Sequence, residues 1–575
     1  MHVKLLMTLW MLMASHLLFA QSVATVGFDG CDYSSIQTAI NAGHGEIRIS
    51  LPSWNNRQNF RIQSRDVKIK GGYSSCRNAE LNRSDNFRTR ISGIAESQPV
   101  ITILGNSREF RITLENLDIV QGTGSGFFPG GGISSFNAKT RITLTNTSIR
   151  SNLGHLGGGI ALVGGQNSLI ATDLIVVGNS ATKGGGIYCS GSQNTLLLTG
   201  NTRSAGFQIR ENEATNGNGG GVSLNNGCTL IAFAGAENRG FSINGIIANN
   251  ASGNGGGVAV ESGASFIYSG DKSCFYNRCR NDVNPAFFSA NTAGAPLPAT
   301  SGYGGALFVS GSNSYAYITR VLVLGNNAAY GGGFAATAGG SIEMIHSSQG
   351  CDSRGFACNE LSGNSARYAG GAVHLSSGAQ VEISKTSMAE NQSTFGTVAW
   401  LSDANTKLNL EGSVMFKNSP FSEFRGISVF FLTGRSGARP ELNMSYSTIA
   451  DNDVNRPVIN NLGGIVKLRS SIIYEPDTSK LYSATNDTGS LFDCLLVDDR
   501  STIPGGYMVI EGNPRFVNPA AENYHIDKRT SPAVDFCDDF TQPNYTDMDN
   551  ESRGVDDPSR TNRIGPFDVG ADESL

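Results

Sequence analysis

The chain has 575 residues, with 43 Lys and Arg against 48 Asp and Glu for a net charge of −5, and with 72 Gly against 17 Pro. Charged residues are 16% of the total against about 25% in an ordinary domain, which excludes a nucleic-acid binder held by basic charge and a charged disordered tail. Abundant Gly with scarce Pro favours many short strands joined by tight turns over helices, whose interiors Gly weakens.

Residues 1–20 read as a secretory signal peptide: His2 and Lys4 precede an apolar run from Leu5 to Phe19, and Ala20 stands at the cut before Gln21. The run is shorter than the ~20 apolar residues of a membrane span, and no comparable run follows. Export, to the cell surface, the outer membrane, the periplasm or the medium, is the expected localisation. Residues 21–99 are expected to form a cap and the first coils. There Ile36, Ala39 and Ile40 fall at helical spacing, with Ser34 or Ser35 as N-cap and Gly43 as the stop.

Residues 100–504 carry a repeat. Gly-Gly-small-aliphatic sites close on Ile133, Ile160, Ile187, Val222, Val258, Leu307, Phe334 and Val373, in steps of 27, 27, 35, 36, 49, 27 and 39 residues. Ahead of most stands an Asn turn, at Asn152, Asn179, Asn212, Asn249, Asn291, Asn326 and Asn364, and then at Asn391 before a degenerate site at Gly396. Between the turns lie period-two strands such as Arg141-Ile-Thr-Leu-Thr, Gln380-Val-Glu-Ile-Ser and Lys407-Leu-Asn-Leu-Glu. A period near 27 built from short strands and turns predicts an all-β fold, a parallel β-helix of roughly twelve coils stacked at ~4.8 Å, with an N-terminal helical cap and an irregular C-terminal cap over residues 505–575. Stacked Asn side chains hydrogen-bonded from coil to coil, in turns where Asn tolerates the left-handed conformation, give the Asn repeat a structural role.

All ten cysteines follow the leader, which fits an oxidising compartment. Cys274 with Cys279 and Cys351 with Cys358 bracket short loops inside two of the longer repeat steps, and Cys31 with Cys76, Cys189 with Cys228 and Cys494 with Cys537 complete an even pairing.

The Asn-x-Ala and Gly-Gly-x-aliphatic repeat over residues 130–400 resembles that of polymorphic outer membrane proteins, whose passenger regions are parallel β-helices. Ser35-Ile-Gln-Thr-Ala-Ile with Lys70-Gly-Gly-Tyr-Ser-Ser-Cys76 looks like the entry of bacterial pectate-lyase-like right-handed β-helix proteins. The ending, from Asn513-Pro-Arg-Phe516 through Asp547-Met-Asp549 and Arg553 to Asp568-Val-Gly-Ala-Asp572-Glu573, is similar to the choice-of-anchor C-terminal region of exported β-helix proteins. These resemblances imply a right-handed coil. The long alternating strands of a membrane barrel are not seen before Leu575, so self-anchoring in an outer membrane is not expected.

Two functions follow as expectations. The first is a non-catalytic exported β-helix that presents a surface to a polysaccharide or a cell-surface protein. The second is a polysaccharide-active lyase or glycoside hydrolase, which requires a groove of acidic and basic residues on one sheet face; Arg320, Glu343, Glu382 and Lys385 are the dispersed candidates. For binding, Tyr330, Tyr368 and Phe395 stand four residues after the repeat Asn and Tyr303 at the equivalent place before its Gly pair, which predicts an aromatic column. Gly43-His44-Gly45 matches a polygalacturonase tripeptide without its companion motifs, and Asp498-Asp499 and Asp538-Asp539 read as turns. No catalytic residue, metal ligand or cofactor is assigned. Calcium is kept as a candidate, on Asp547, Asp549, Asp568 and Asp572, with a capping rather than a catalytic role.

Overall fold

Period-two strands turn one side chain in two toward the interior, and in a solenoid those side chains are buried only against the coils above and below. The computed structural model describes all residues except 1–21, 29, 51–56, 86, 95–96, 106–107, 201–205, 234–244, 271–285, 297–300, 347–358, 421–427, 435–436, 455–456, 539–545 and 575. It is a right-handed parallel β-helix of three sheets. In a typical coil the chain runs along sheet B (Val222–Asn225), then through two strands of sheet A (Thr229–Phe233 and Gly245–Ile247). It then turns at Asn249 into the two-residue strand Asn250–Ala251 of sheet C and returns through a Gly pair to sheet B at Val258–Glu261. Among the described residues sheet B has fourteen strands, sheet C eight and sheet A 27. Fourteen exceeds the roughly twelve coils counted from the repeat because the first and last coils carry neither turn motif.

Like residues stack on like. Along sheet A the inward pair runs in register from Ile142 and Leu144 through Leu169 and Ala171, Leu196 and Leu198, and onward to Val466 and Leu468, all buried in one continuous core. Each such Leu or Ile contributes roughly 1.5–3 kcal/mol by burial. The strands expected at Arg141, Gln380 and Lys407 all fall on this sheet, within Lys139–Arg150, Gln380–Ser384 and Lys407–Glu411.

The Asn turns form one ladder. From Asn152 through Asn179, Asn212, Asn249, Asn291, Asn326, Asn364, Asn391, Asn418 and Asn452, each Nδ2 donates to the Oδ1 of the next Asn at 2.8–3.0 Å. Each also donates to a main-chain carbonyl of the preceding coil, as Asn326 does to Phe288. These amides are buried and satisfied. The left-handed residue of the turn is the one before the Asn, not the Asn itself: Ser151, Glu211, Ala248, Ala290, Glu390, Lys417 and Asp451 have φ between 52° and 56°, and Gly178, Gly325 and Gly363 fill the same place. The Asn therefore holds its turn through its amide rather than through its backbone preference.

At the Gly pair two different constraints act. Gly331 has φ +66°, and a Cβ on Gly332 would lie 2.5 Å from both Gly371 O and Ser365 N in the next coil.

The ends are covered from two directions. Helix α1 (Ile36–Asn41) buries Ile36, Ala39 and Ile40 over the first coil, and a second helix α2 (Cys76–Glu80), not foreseen, is joined to the entry by the Cys31–Cys76 disulfide. Cys189–Cys228 crosses between adjacent coils, and Cys494–Cys537 joins sheet A to the C-terminal region. The pairings expected at Cys274, Cys279, Cys351 and Cys358 lie outside the described residues, as does the expected signal peptide. The C-terminal region also runs back along the flank of the coils: Tyr524, Met548 and Ala571 pack on Ala389, Val414, Phe416 and Ala450 of sheet A.

Candidate functional site

A wall of aromatic rings stands where sheet C turns into sheet B. Tyr303 and Tyr330 occupy equivalent places in adjacent coils, and their rings stack 4.8 Å apart at 15°. Tyr368 continues the row at 5.4 Å from Tyr330, with the Arg367 guanidinium over its ring. Phe395, 45% exposed, turns instead to Phe431 at 5.4 Å. The structure thus groups three of the four expected aromatics and sets the fourth on a neighbouring pair. The stack covers the facing surfaces of Tyr303 and Tyr330.

Sheet B supplies a second column beside the first. The outward residue of its strands runs Phe308, Ala335, His374, Trp400, Phe431 in register. Ala335 is small, and Tyr303 packs into the space it leaves with Phe308. His374 is 4% exposed, with ring contacts to Tyr303 and Tyr330 at 5.4 Å and an edge contact to Trp400 at 5.1 Å. Burial holds its imidazole down at about 3, so it is neutral, and its Nδ1 has no hydrogen-bond partner. Trp400 is half-buried and donates Nε1 to Thr433 Oγ1 at 3.3 Å. The turn motifs do not mark these residues, which lie on the strand that follows; their signal is the residue directly after each closing aliphatic, which reads Phe308, Ala335 and His374 in three consecutive repeats.

The outer face of sheet A holds a groove of about 610 Å³ whose lining includes Glu382, Asn409, Glu411, Asn443, Lys467 and Arg469. Glu343 lies opposite Glu382 on the adjacent strand and accepts from Tyr315 OH at 2.7 Å. Burial, with Glu343 and Glu411 nearby, pushes the Glu382 carboxyl above its ordinary range. Lys467 pairs with Glu441 at 2.8 Å, and Asn443 Nδ2 donates to Asn409 Oδ1 at 2.8 Å. Arg320 and Lys385 do not join this groove. Both are buried at the corner between the two strands of sheet A, where Lys385 Nζ donates to Thr546 Oγ1 and to Asn550 Oδ1 of the C-terminal region.

The remaining candidates have structural partners. Tyr33 OH and His44 Nε2 share a hydrogen bond of 2.9 Å within the N-terminal cap. Asp498 Oδ1 accepts from Glu475 N, and Asp499 caps the short 3₁₀ turn Arg500–Thr502; Asp539 lies outside the described residues. Asp547 receives the N–H groups of Asp549, Glu551 and Glu573, and Asp568 those of Asp535 and Ser574. Ligand atoms of His525, Asp549 and Asp572 come within 4.8 Å of one another. One imidazole and two carboxylates do not meet the six to eight oxygens calcium takes, and Asp547 and Asp568 already have their oxygens engaged by main-chain N–H. The set fits a His525 and Asp549 ion pair, whose hydrogen bond pushes the imidazole up to about 9.

Fold and surface together define a right-handed parallel β-helix with an aromatic wall on one corner and a charged groove on another face. No protein-family model and no curated protein matches this chain. Among the described residues no helix is long and apolar enough to cross a membrane, and the three disulfides fit an oxidising compartment.

Proposed function

We propose that this is an exported, non-catalytic β-helix that presents its lateral surface for carbohydrate contact. The observation that carries the reading is the aromatic wall: Tyr303, Tyr330 and Tyr368 at successive coils beside Trp400, at a corner where the repeat itself needs no aromatic residue. At the place equivalent to Tyr303 and Tyr330 the earlier coils carry Leu156, Lys183, Asn218 and Asn254, without aromatics. The resemblances to polymorphic outer membrane protein repeats, to the pectate-lyase-like entry and to the choice-of-anchor ending support export and surface display. Affinity electrophoresis of residues 21–575 through gels containing neutral or acidic polysaccharides tests the reading. Retardation by at least one polymer supports it, and unchanged mobility in all of them overturns it.

A second reading, a polysaccharide-active enzyme, is favoured by one observation: Glu343 and Glu382 face each other across adjacent strands beside a groove of about 610 Å³. Paired carboxylates with one pushed upward are what glycoside cleavage employs. New reducing ends released by the wild type and lost in Glu382→Gln support it; none released by the wild type counts against it.

A further inference from the structure

An arginine at the corner of sheet A is anchored without being neutralised. Arg88 stands directly before the strand Thr89–Ser92, half-buried, and its Nε donates to the main-chain O and the Oδ1 of Asn146 at 3.1 and 3.0 Å. Asn146 is itself fixed, donating Nδ2 to Asn116 Oδ1 at 2.7 Å. Among the described residues the two terminal amino groups of Arg88 make no hydrogen bond and no ion pair. The carboxylate beside it is already engaged: Asp118 accepts from Arg150 Nε and Nη2 at 2.8 and 2.7 Å and from Arg90 Nε at 3.1 Å. Arg88, Asp118, Asn146, Ser148 and Arg150 line an open cleft of about 390 Å³. Ser148 is 6% exposed, and among the described residues its hydroxyl has no hydrogen-bond partner. We infer that Arg88 and Ser148 bind an oxyanion group, a carboxylate or a phosphate, carried by a ligand that lies in this cleft.

The ligand chemistry follows from the lining. Every side chain of the cleft is polar or charged, so an apolar ligand finds no surface there to cover. A guanidinium presents N–H groups that match the oxygens of a carboxylate or a phosphate, and the Ser148 hydroxyl adds one more donor. Charge points the same way. Arg88, Arg90 and Arg150 face two carboxylates, Asp118 and Asp173, and burial lowers the Arg88 pKa in spite of both. A partly dehydrated cation of this kind gains from an anion brought to it. The wider face agrees: residues 46–150 hold 15 Lys and Arg against 8 Asp and Glu, in a chain whose net charge is −5, and such a segregated field draws anions. On the same sheet Arg111 and Arg141 lie opposite each other in register, where like charges repel, and among the described residues neither side chain makes an ion pair. The site is defined by these groups alone and does not depend on the carbohydrate reading.

Residues 21–575 are titrated by calorimetry with inorganic phosphate, with trigalacturonate and with the neutral trisaccharide maltotriose. The expected result is saturable binding of at least one of the two anions, weakened about tenfold in Arg88→Gln and about threefold in Arg88→Lys, which keeps the charge but loses the fork. Ser148→Ala should cost about threefold and carries the test if Arg88→Gln fails to fold. Phosphate bound without trigalacturonate, or the reverse, supports the site and assigns the oxyanion it takes. Maltotriose binding, wherever on the surface it occurs, should be the same in all four proteins. Neither anion binding, or anion binding that neither Arg88→Gln nor Ser148→Ala changes, overturns the site. Maltotriose binding lost in Arg88→Gln overturns the ligand class. The aromatic wall is untouched by these variants, so failure here leaves the carbohydrate reading to its own test in polysaccharide gels.

Discussion

Glu475 closes the asparagine ladder by accepting the Nδ2 of Asn452 at 2.6 Å, and its own N–H passes on to Asp498 Oδ1 at 3.0 Å. A carboxyl thus stands where ten asparagines precede it. Asn452 N also donates to both of its oxygens, yet burial dominates and pushes the group up to about 8. Because the folded carboxyl binds its proton more tightly than the unfolded one, its contribution is complete below about pH 4.5 and is lost as pH rises through about 8. Glu475→Gln removes this dependence. Denaturant unfolding at pH 5 and pH 9 should show the variant gaining on the wild type by a few kcal/mol at the higher pH; a constant difference across that range contradicts the assignment.

Asn326 lies mid-ladder and is fully buried, accepting from Asn291 N and Nδ2 and donating to Asn364 Oδ1 and Phe288 O. Asn326→Ala leaves several of these groups unpaired, and a cost on the order of 3 kcal/mol is expected at 1–3 per stranded group. Amide exchange should accelerate in the coils on both sides of residue 326 rather than at the ends.

Gly332→Ala places a methyl 2.5 Å from main-chain atoms of the next coil. Neither contact atom is the far end of a flexible side chain, so the coils must separate locally. A loss of at least about 2 kcal/mol is expected in thermal or denaturant unfolding, whereas Gly437→Ala, with open space around it but φ +81°, should cost about 1 kcal/mol from backbone strain alone.

Much of this was legible in the residues because a solenoid repeats its constraints. The Gly pairs mark where main chains of adjacent coils meet, the period-two strands mark sheet A, and Ile36, Ala39 and Ile40 mark the cap helix. Asn418 and Asn452 escaped notice because a ladder needs only an amide at the right register, and here Ser-Pro and Asp-Val follow in place of the x-Ala of the repeat. Glu475 escaped for the same reason. The aromatic column was half visible: Tyr303 and Tyr330 share a turn position and Tyr368 falls one residue short of it, but His374 and Trp400 join them only through folding onto the neighbouring sheet. Nothing local to residues 512–574 says that they turn back along the flank, since that depends on Tyr524 and Met548 finding Phe416.

Cys494–Cys537 spans 43 residues and holds this C-terminal region to sheet A. Replacing both by Ala should cost about 4 kcal/mol from restored chain entropy, concentrated in the C-terminal region. Limited proteolysis should then cut after residue 512 well before it cuts the coils. Simultaneous cleavage of both would show that the region is not a separate unit of stability.

The His525 and Asp549 pair adds a second pH effect on the same flank. With the imidazole pushed up to about 9, its stabilisation is complete below about pH 6.5 and is lost as pH rises through about 9. Wild-type protection of the C-terminal region from proteolysis should therefore decline over that window, and His525→Gln should flatten the decline.

The most direct test of the proposed function is to incubate residues 21–575 with neutral and acidic polysaccharides for an extended period and follow polymer length and protein elution together by size-exclusion chromatography. Polymer of unchanged length eluting with protein bound is the expected result. Polymer shortened by the protein contradicts a non-catalytic role and moves attention to Glu343 and Glu382.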